Sequence, residues 1–300
     1  MNTRILIQII INGIALGAVY ALISTGFSII FNILKFSNFS HGALMTLSAF
    51  VGYYACLFFR NQFAIELALP VVLLICMVVG GLVAMGGELV AFRRITKANT
   101  SPIYFFVASI TLGTFFEGLV TLWAGANFYG YPRFFEKANL KLLGLSIRTS
   151  DLIMLLSAIG ILVALTFIIQ KTKLGRGLRA VSFDRDTAGL MGINVTRVIQ
   201  FAFFLSGSLA GISGVFLGIN YSLTTTMGSL VVKGFIASVI GGLGSMTGAI
   251  IGAVLLGIVE TLLNFFLGTG YKEVIVLVIM LVFLLVHPQG IAGTNIQEKA

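Results

Sequence analysis

Long apolar runs separated by short polar segments occupy almost the whole chain. Ile5–Leu34 contains no charged residue. At about 1.5 Å per residue, a straight helix of that length overshoots a hydrocarbon core of roughly 30 Å. Gly13, Gly17 and Gly26 offer places to kink or break it, so one span is predicted, then an irregular piece to about Lys35. Phe36–Met45 opens a second span that runs to Phe59. Leu67–Phe92 is a third, closed by Arg93, Arg94 and Lys97, and Ile103–Trp123 is a fourth. A longer polar loop from Gly125 to Ser150 precedes the fifth and sixth spans, Leu152–Gln170 and Val198–Ile219. The last third is less regular. Leu230–Leu243 is apolar but short, either crossing or re-entering. Thr247–Leu267 is long enough to cross, and Val274–Val286 crosses if its helix starts near Gly270. The pattern predicts an all-α, polytopic membrane bundle of about eight transmembrane helices, forming one integral domain over residues 1–300.

Charge assigns the sides. Lys171–Arg197 carries Lys171, Lys173, Arg176, Arg179, Arg185 and Arg197 against Asp184 and Asp186. So basic a loop between two spans belongs on the cytoplasmic side. Arg93–Lys97 falls on the same side, two spans away, as does Lys35. Arg4, Arg60 and the Gly125–Ser150 loop then lie outside, although that loop holds Arg133, Lys137, Lys141 and Arg148. The middle of the Lys171–Arg197 loop reads as a short helix. Ser182 is its expected N-cap, Asp184 and Asp186 lie in its first turn and Gly192 is its stop. Phe183, Thr187, Leu190 and Met191 fall near one face. Such a helix either docks a cytoplasmic partner or rests on lipid headgroups.

The composition agrees: 58% hydrophobic and 10% charged, against about a quarter charged in soluble domains. The 35 glycines suit close helix packing. A net charge of +9 is explained by loop topology and anionic lipid rather than by nucleic acid. Cys56 and Cys76 lie in apolar runs and suggest neither a disulfide framework nor a metal site. Arg4 is the only early charge, and no cleavage pattern follows it, so no signal peptide is expected.

Polar groups inside apolar runs are the candidates for chemistry. His41 lies in Ser37-Asn38-Phe39-Ser40-His41-Gly42, and facing lipid would be costly for it. Asn38 and His41 are read either as pathway or hinge residues or as interfacial groups satisfied by backbone. Glu260 is read as a pathway residue or as a carboxyl hydrogen-bonded between helices. Glu88 and Glu117 also fall in spans, and Glu88 is close enough to Arg93 for a local ion pair. Two segments are interrupted by glycine, one in each half of the chain: Gly26–Gly42, and Gly234–Gly252 with Gly241, Gly242 and Gly244. Broken segments at matching places in two halves point to a transporter pathway. The four-residue spacings Gly207–Gly211 and Gly244–Gly248–Gly252 equally suit close packing. No P-loop, metal-ligand cluster, nucleophile elbow, arginine ladder or TVGYG filter is present. The chain alone is therefore not an ATPase, and an intramembrane enzyme has no constellation to stand on. A self-sufficient channel or ion-coupled carrier, with His41 and Glu260 as gating groups, stays open.

Four stretches carry a family resemblance: NGIALGAVYALISTGFSIIF, KFSNFSHGALM, RAVSFDRDTAGLMGINVTRVI and GFIASVIGGLGSMTGAIIGAVLLGIVE. Over nearly its full length the chain resembles the LivH-type permease subunits of branched-chain amino-acid ABC transporters, the inner-membrane components of binding-protein-dependent transport systems. The resemblance implies a bacterial inner-membrane, multi-pass permease that forms the translocation path with a second permease of similar fold. It implies two cytoplasmic ATPase subunits, which would bind the ATP and Mg, with no cofactor on this chain. It also implies a periplasmic or extracytoplasmic substrate-binding protein. Asp184, Arg185, Asp186, Thr187, Leu190, Met191 and Gly192 would form the coupling helix that sits in a groove of the ATPase. Branched-chain or other apolar amino acids are the implied cargo, with urea or short amides as the alternative in the same superfamily.

Overall fold

The computed structural model describes residues 3–98, 101–132, 134, 139–142, 145–287 and 289–292. Arg133 and Lys137 of the long loop, and the polar tail beyond residue 292, lie outside the described residues. The helices are α1 (Thr3–Leu34), α2 (Ser40–Phe63), α3 (Leu69–Gly87), α4 (Arg93–Lys97), α5 (Pro102–Ala124), α6 (Thr149–Lys171), α7 (Lys173–Phe183), α8 (Arg185–Leu190), α9 (Val195–Asn220), α10 (Val231–Gly241), α11 (Met246–Leu267) and α12 (Thr269–Val286). A π-helical turn, Glu88–Phe92, joins α3 to α4. A short antiparallel hairpin, β1 (Asn139–Leu142) and β2 (Leu145–Arg148), sits in the long loop, where no strand is predicted. Pro70 and Pro102 occupy the first turns of α3 and α5, where a missing N–H costs nothing.

Seven helical stretches among the described residues are long and apolar enough to cross a membrane. The eighth expected span is α12, which is 18 residues long and begins next to Gly270 as its length requires. The contested segment is α10, with only 11 residues. At about 16 Å it covers half of a hydrocarbon core. One expectation is corrected here. The chain does not break at Gly26, because α1 runs unbroken for 32 residues. The irregular piece is instead confined to residues 35–39, and it begins at Lys35, whose φ is +56°.

The chain forms two compact units. The larger comprises residues 29–134 and 163–231, and α9 is its centre, with 89% of its span buried. Helix α3 runs antiparallel to α9 along a seam of small residues. A Cβ added to Gly80 or Gly207 would collide with the other's backbone, and one on Gly211 would strike the Cys76 carbonyl. The four-residue spacing of Gly207 and Gly211 therefore serves close packing. At one end of this unit Tyr129 and Leu223 exchange backbone hydrogen bonds of 2.9 and 2.7 Å, which joins the segment after α5 to the segment after α9. At the other end Arg185 reaches the carbonyl of Ile33.

The smaller unit comprises residues 1–28, 135–162 and 232–300. Its described helices include most of α1 together with α10, α11 and α12. Gly13 and Gly17 of α1 are packing sites against α11. A Cβ on Gly17 would lie 2.7 Å from Val254 Cα, and one on Gly13 the same distance from Ile258 Cα. Helix α10 runs alongside α1 in the same direction, with Ser28 Oγ and Ser238 Oγ 2.9 Å apart. The described end of the chain folds back on α10, where Ile291 N–H donates to the Ile240 carbonyl at 2.9 Å.

Candidate functional site

The break before α2 is built from residues with small polar side chains. The Asn38 side-chain oxygen accepts from Ser40 N–H at 3.2 Å and from Ser40 Oγ at 2.7 Å, satisfying donors at the start of the helix. Phe36 stacks on Phe105 with ring centroids 4.9 Å apart and contacts Phe92 at 5.5 Å, which fixes the segment between Lys35 and Asn38. This start lies halfway along the unit. A Cβ on Gly113, the middle residue of α5, would lie 3.4 Å from Ser40 Cα. His41 Nδ1 is 3.2 Å from Ser206 Oγ, near the middle of α9. Asn38 and His41 are both buried. Gly42 packs against the Gly228 carbonyl and Val231, the first residue of α10, and any side chain there would clash. The first turn of α2 and the chain leading into α10 therefore meet at mid-depth. The irregular backbone just before Ser40 is thus buried against other helices rather than exposed, a setting in which non-helical backbone is tolerated at such depth.

The second break is Gly241–Ser245. Gly241 ends α10, Gly242 and Gly244 take φ of +104° and +88°, and Ser245 Oγ caps α11 by accepting from Gly248 N–H at 3.1 Å. Positive φ at two of four turn residues explains the glycines there. Gly248 and Gly252 pack against the backbone of α10.

Glu260 is buried between helices. Its carboxylate accepts from Tyr20 Oη at 2.8 Å and Lys233 Nζ at 2.5 Å, with Lys272 Nζ at 3.3 Å. The contacts are those of a carboxyl bonded between helices: Tyr20 on α1, Lys233 on α10 and Lys272 on α12 converge on it. Glu88 is buried and pairs with Arg93 at 2.8 Å, the local ion pair that the spacing predicts.

The basic loop folds into two helices, α7 and α8, where one was predicted. Thr172 caps α7, its hydroxyl accepting from Gly175 N–H at 3.0 Å. The N-cap of α8 is Asp184, not Ser182. Asp184 Oδ1 accepts from Asp186 N–H at 2.9 Å and Thr187 N–H at 3.1 Å, while Ser182 lies inside α7 and donates back to the Arg179 carbonyl. Both residues are good caps, and Asp184 takes the position because α7 extends through Ser182 to Phe183. Gly192, at φ +82°, stops the helix as expected. Phe183 ends α7 and so does not share a helix with Thr187, Leu190 and Met191. Phe183, Leu190 and Met191 are nonetheless 95%, 88% and 79% exposed, although Val181 and Ala188 nearby are buried. Arg185, by contrast, is half-buried against α1. Burial holds its guanidinium below the usual range, with Asp186 opposing. Burial, and then the charge of Arg185, hold the Lys35 ammonium below its usual range as well. Among the described residues no group of three or more His, Cys, Asp or Glu is placed to hold a metal ion.

Residues 9–285 match the model of the family described as branched-chain amino acid transport system / permease component. The chain is similar to the high-affinity branched-chain amino acid transport system permease protein LivH of Escherichia coli, 30% identical over 98% of this chain and 97% of the relative. It is similar to the permease protein BraD of Pseudomonas aeruginosa, named for the same kind of system, at 27% identity with the same coverage. A probable LivH of Methanocaldococcus jannaschii is 30% identical over 91% of this chain and 88% of the relative. No solved structure matches.

Proposed function

Since the chain belongs to the branched-chain amino acid transport permease family, we propose that it is the membrane subunit of an ATP-driven importer of branched-chain or other apolar amino acids. Its place is the bacterial inner membrane. Its partners are a second permease of similar fold, two cytoplasmic ATPase subunits and an extracytoplasmic binding protein. The family match runs through both compact units, which supports treating residues 1–300 as one permease domain. ATP hydrolysis belongs to the separate subunits.

The observation that carries this reading is α8. A capped helix on the most basic loop presents Leu190 and Met191 almost fully to its surroundings, with the Phe183 ring beside it. Exposed large apolar side chains clustered outside the spans mark an interaction surface. The charge of Lys171–Arg197 supports a cytoplasmic position for that surface, where an ATPase would grip it. The irregular segment before Ser40, packed at mid-depth against the chain that leads into α10, supplies the element that moves: a short, irregular connection changes conformation more readily than a continuous helix.

Deleting Asp184–Gly192, or reversing its charges, tests the proposal. Membrane insertion should persist while ATP-driven uptake is lost. Normal uptake by a stably inserted deletion would overturn it.

A further inference from the structure

Helix α5 carries a polar stripe on its outward side. Thr111, Thr114, Glu117, Gly118 and Thr121 recur at three- and four-residue steps and so share one side of the helix. Thr111, Thr114, Glu117, Gly118 and Thr121 are all exposed. The adjoining sector of the same turns holds Phe115, Leu119 and Leu122, exposed by 58%, 42% and 87%. Over residues 111–121 the exposed surface of α5 thus divides into an apolar sector and a polar one, whereas earlier on the same side Val107 and Ile110 are exposed by 55% and 45%. Lipid explains the apolar sector. It does not explain a carboxylate: an acidic side chain facing hydrocarbon near mid-depth costs about 2.5–3.5 kcal/mol even on the most lenient scale.

Glu117 is also placed with respect to the broken helices. It lies one turn beyond Gly113, which packs on Ser40 at the start of α2. A Cβ on Gly228 would lie 3.1 Å from Glu117 Oε1, and the Gly228 carbonyl rests against Gly42. The carboxylate therefore borders the place where α2 begins and the chain enters α10. Among the described residues no lysine or arginine pairs with it. The threonine hydroxyls along the stripe donate to their own helix, Thr114 to the Ile110 carbonyl at 3.1 Å and Thr121 to the Glu117 carbonyl at 2.8 Å, which leaves their oxygens able to accept from water.

We infer that the Thr114–Glu117–Thr121 stripe of α5 lines the aqueous translocation path and that Glu117 receives the ammonium group of the amino-acid cargo. The inference rests on the importer reading above. A zwitterion with an apolar side chain needs a counter-ion for its ammonium at the depth where water is scarce. Glu117 supplies that charge beside two helix starts, whose dipoles favour the cargo carboxylate.

The test is made in membranes containing the permease with its native partner subunits, in a Cys56→Ala, Cys76→Ala background that retains L-leucine uptake. Single cysteines at 114, 117 and 121, and at 115, 119 and 122, are treated with membrane-impermeant methanethiosulfonates, one bearing a trimethylammonium and one a sulfonate. The stripe positions should react and the apolar positions should not. The cationic reagent should be preferred at Thr121→Cys, and adding Glu117→Gln should remove that preference. Glu117→Gln alone should slow L-leucine uptake by about tenfold per inserted transporter, the loss of one charge-assisted hydrogen bond, and Glu117→Asp should retain most of it. Equal reactivity on both sectors, no reaction at the stripe, or undiminished uptake by Glu117→Gln would overturn the assignment. Failure of the unmodified complex to move L-leucine would instead overturn the importer reading, since the labelling pattern is read without transport.

Discussion

Arg185, the first residue of α8, donates to the backbone carbonyl of Ile33 in the last turn of α1, through Nε at 3.0 Å and through its second guanidinium nitrogen. Helix ends leave their last carbonyls without intrahelical partners, and a charged fork is a strong substitute. Two residues later, at Lys35, the chain leaves the helix and enters the irregular segment that leads to α2. Under the proposed importer reading, a displacement of α8 would therefore be felt at the point where the irregular segment begins.

Arg185→Met keeps the stem and removes the fork. It should uncouple the two events, with ATP hydrolysis in the assembled complex kept and uptake in proteoliposomes lowered by about tenfold or more, as expected for a lost hydrogen bond to a charged group. Arg185→Lys should recover part of the uptake, because one donor remains where a fork was. Equal falls in hydrolysis and uptake would show Arg185 acting on docking instead.

The cap of α8 makes a second, local prediction. Asp184→Ala should cost about 1 kcal/mol of local stability and weaken association with the ATPase subunits in detergent. Asp184→Asn should be nearly neutral. Ser182→Ala should change little, since its hydroxyl bonds only within α7. Hydrogen exchange over residues 184–192 separates Asp184→Ala from the other two variants.

Close packing gives a third. Gly207→Leu places a branched side chain against the Gly80 backbone, where a Cβ alone collides. It should abolish accumulation of folded protein in the membrane. Gly160→Leu, where nothing lies within 4 Å, should be tolerated. Fluorescence-detected size exclusion of the solubilised variants reads the difference.

Glu260 gives a fourth. Glu260→Leu leaves the half-buried Lys233 and Lys272 without their shared carboxylate, with only the exposed Glu273 near Lys233, and should lower stability by a few kcal/mol, roughly the lower end of the 3–5 kcal/mol for a fully buried pair. Adding Lys233→Met should restore a large part of the loss, because the stranded cation goes with it. Thermal unfolding in detergent of the single and double variants measures both.

What sequence made legible was what hydrophobic length and charge control. The spans follow from uninterrupted apolar runs, and the Glu88–Arg93 pair follows from five-residue spacing. Gly192 as a helix stop was legible because a positive φ singles out glycine. Gly26 misled because a glycine in an apolar run looks the same whether it breaks a helix or lies within one. The break falls at Lys35, a residue type with no special preference for positive φ. Asp184 was passed over for Ser182 because both are good caps, and only the extent of α7 decides between them. The convergence of Ser40, Gly113 and Gly228 joins positions far apart in the chain, which no local pattern encodes. Glu117 was visible as a carboxylate in a span, but its polar stripe gained meaning only once the buried side of α5 was known.

The most direct test of the central claim is solute flux into proteoliposomes. With its partner permease, the ATPase subunits and the binding protein, the chain should take up L-leucine only when ATP is supplied on the side of the Lys171–Arg197 loop, and the chain alone should take up none. Flux of L-leucine through the chain alone, without ATP, would contradict the account.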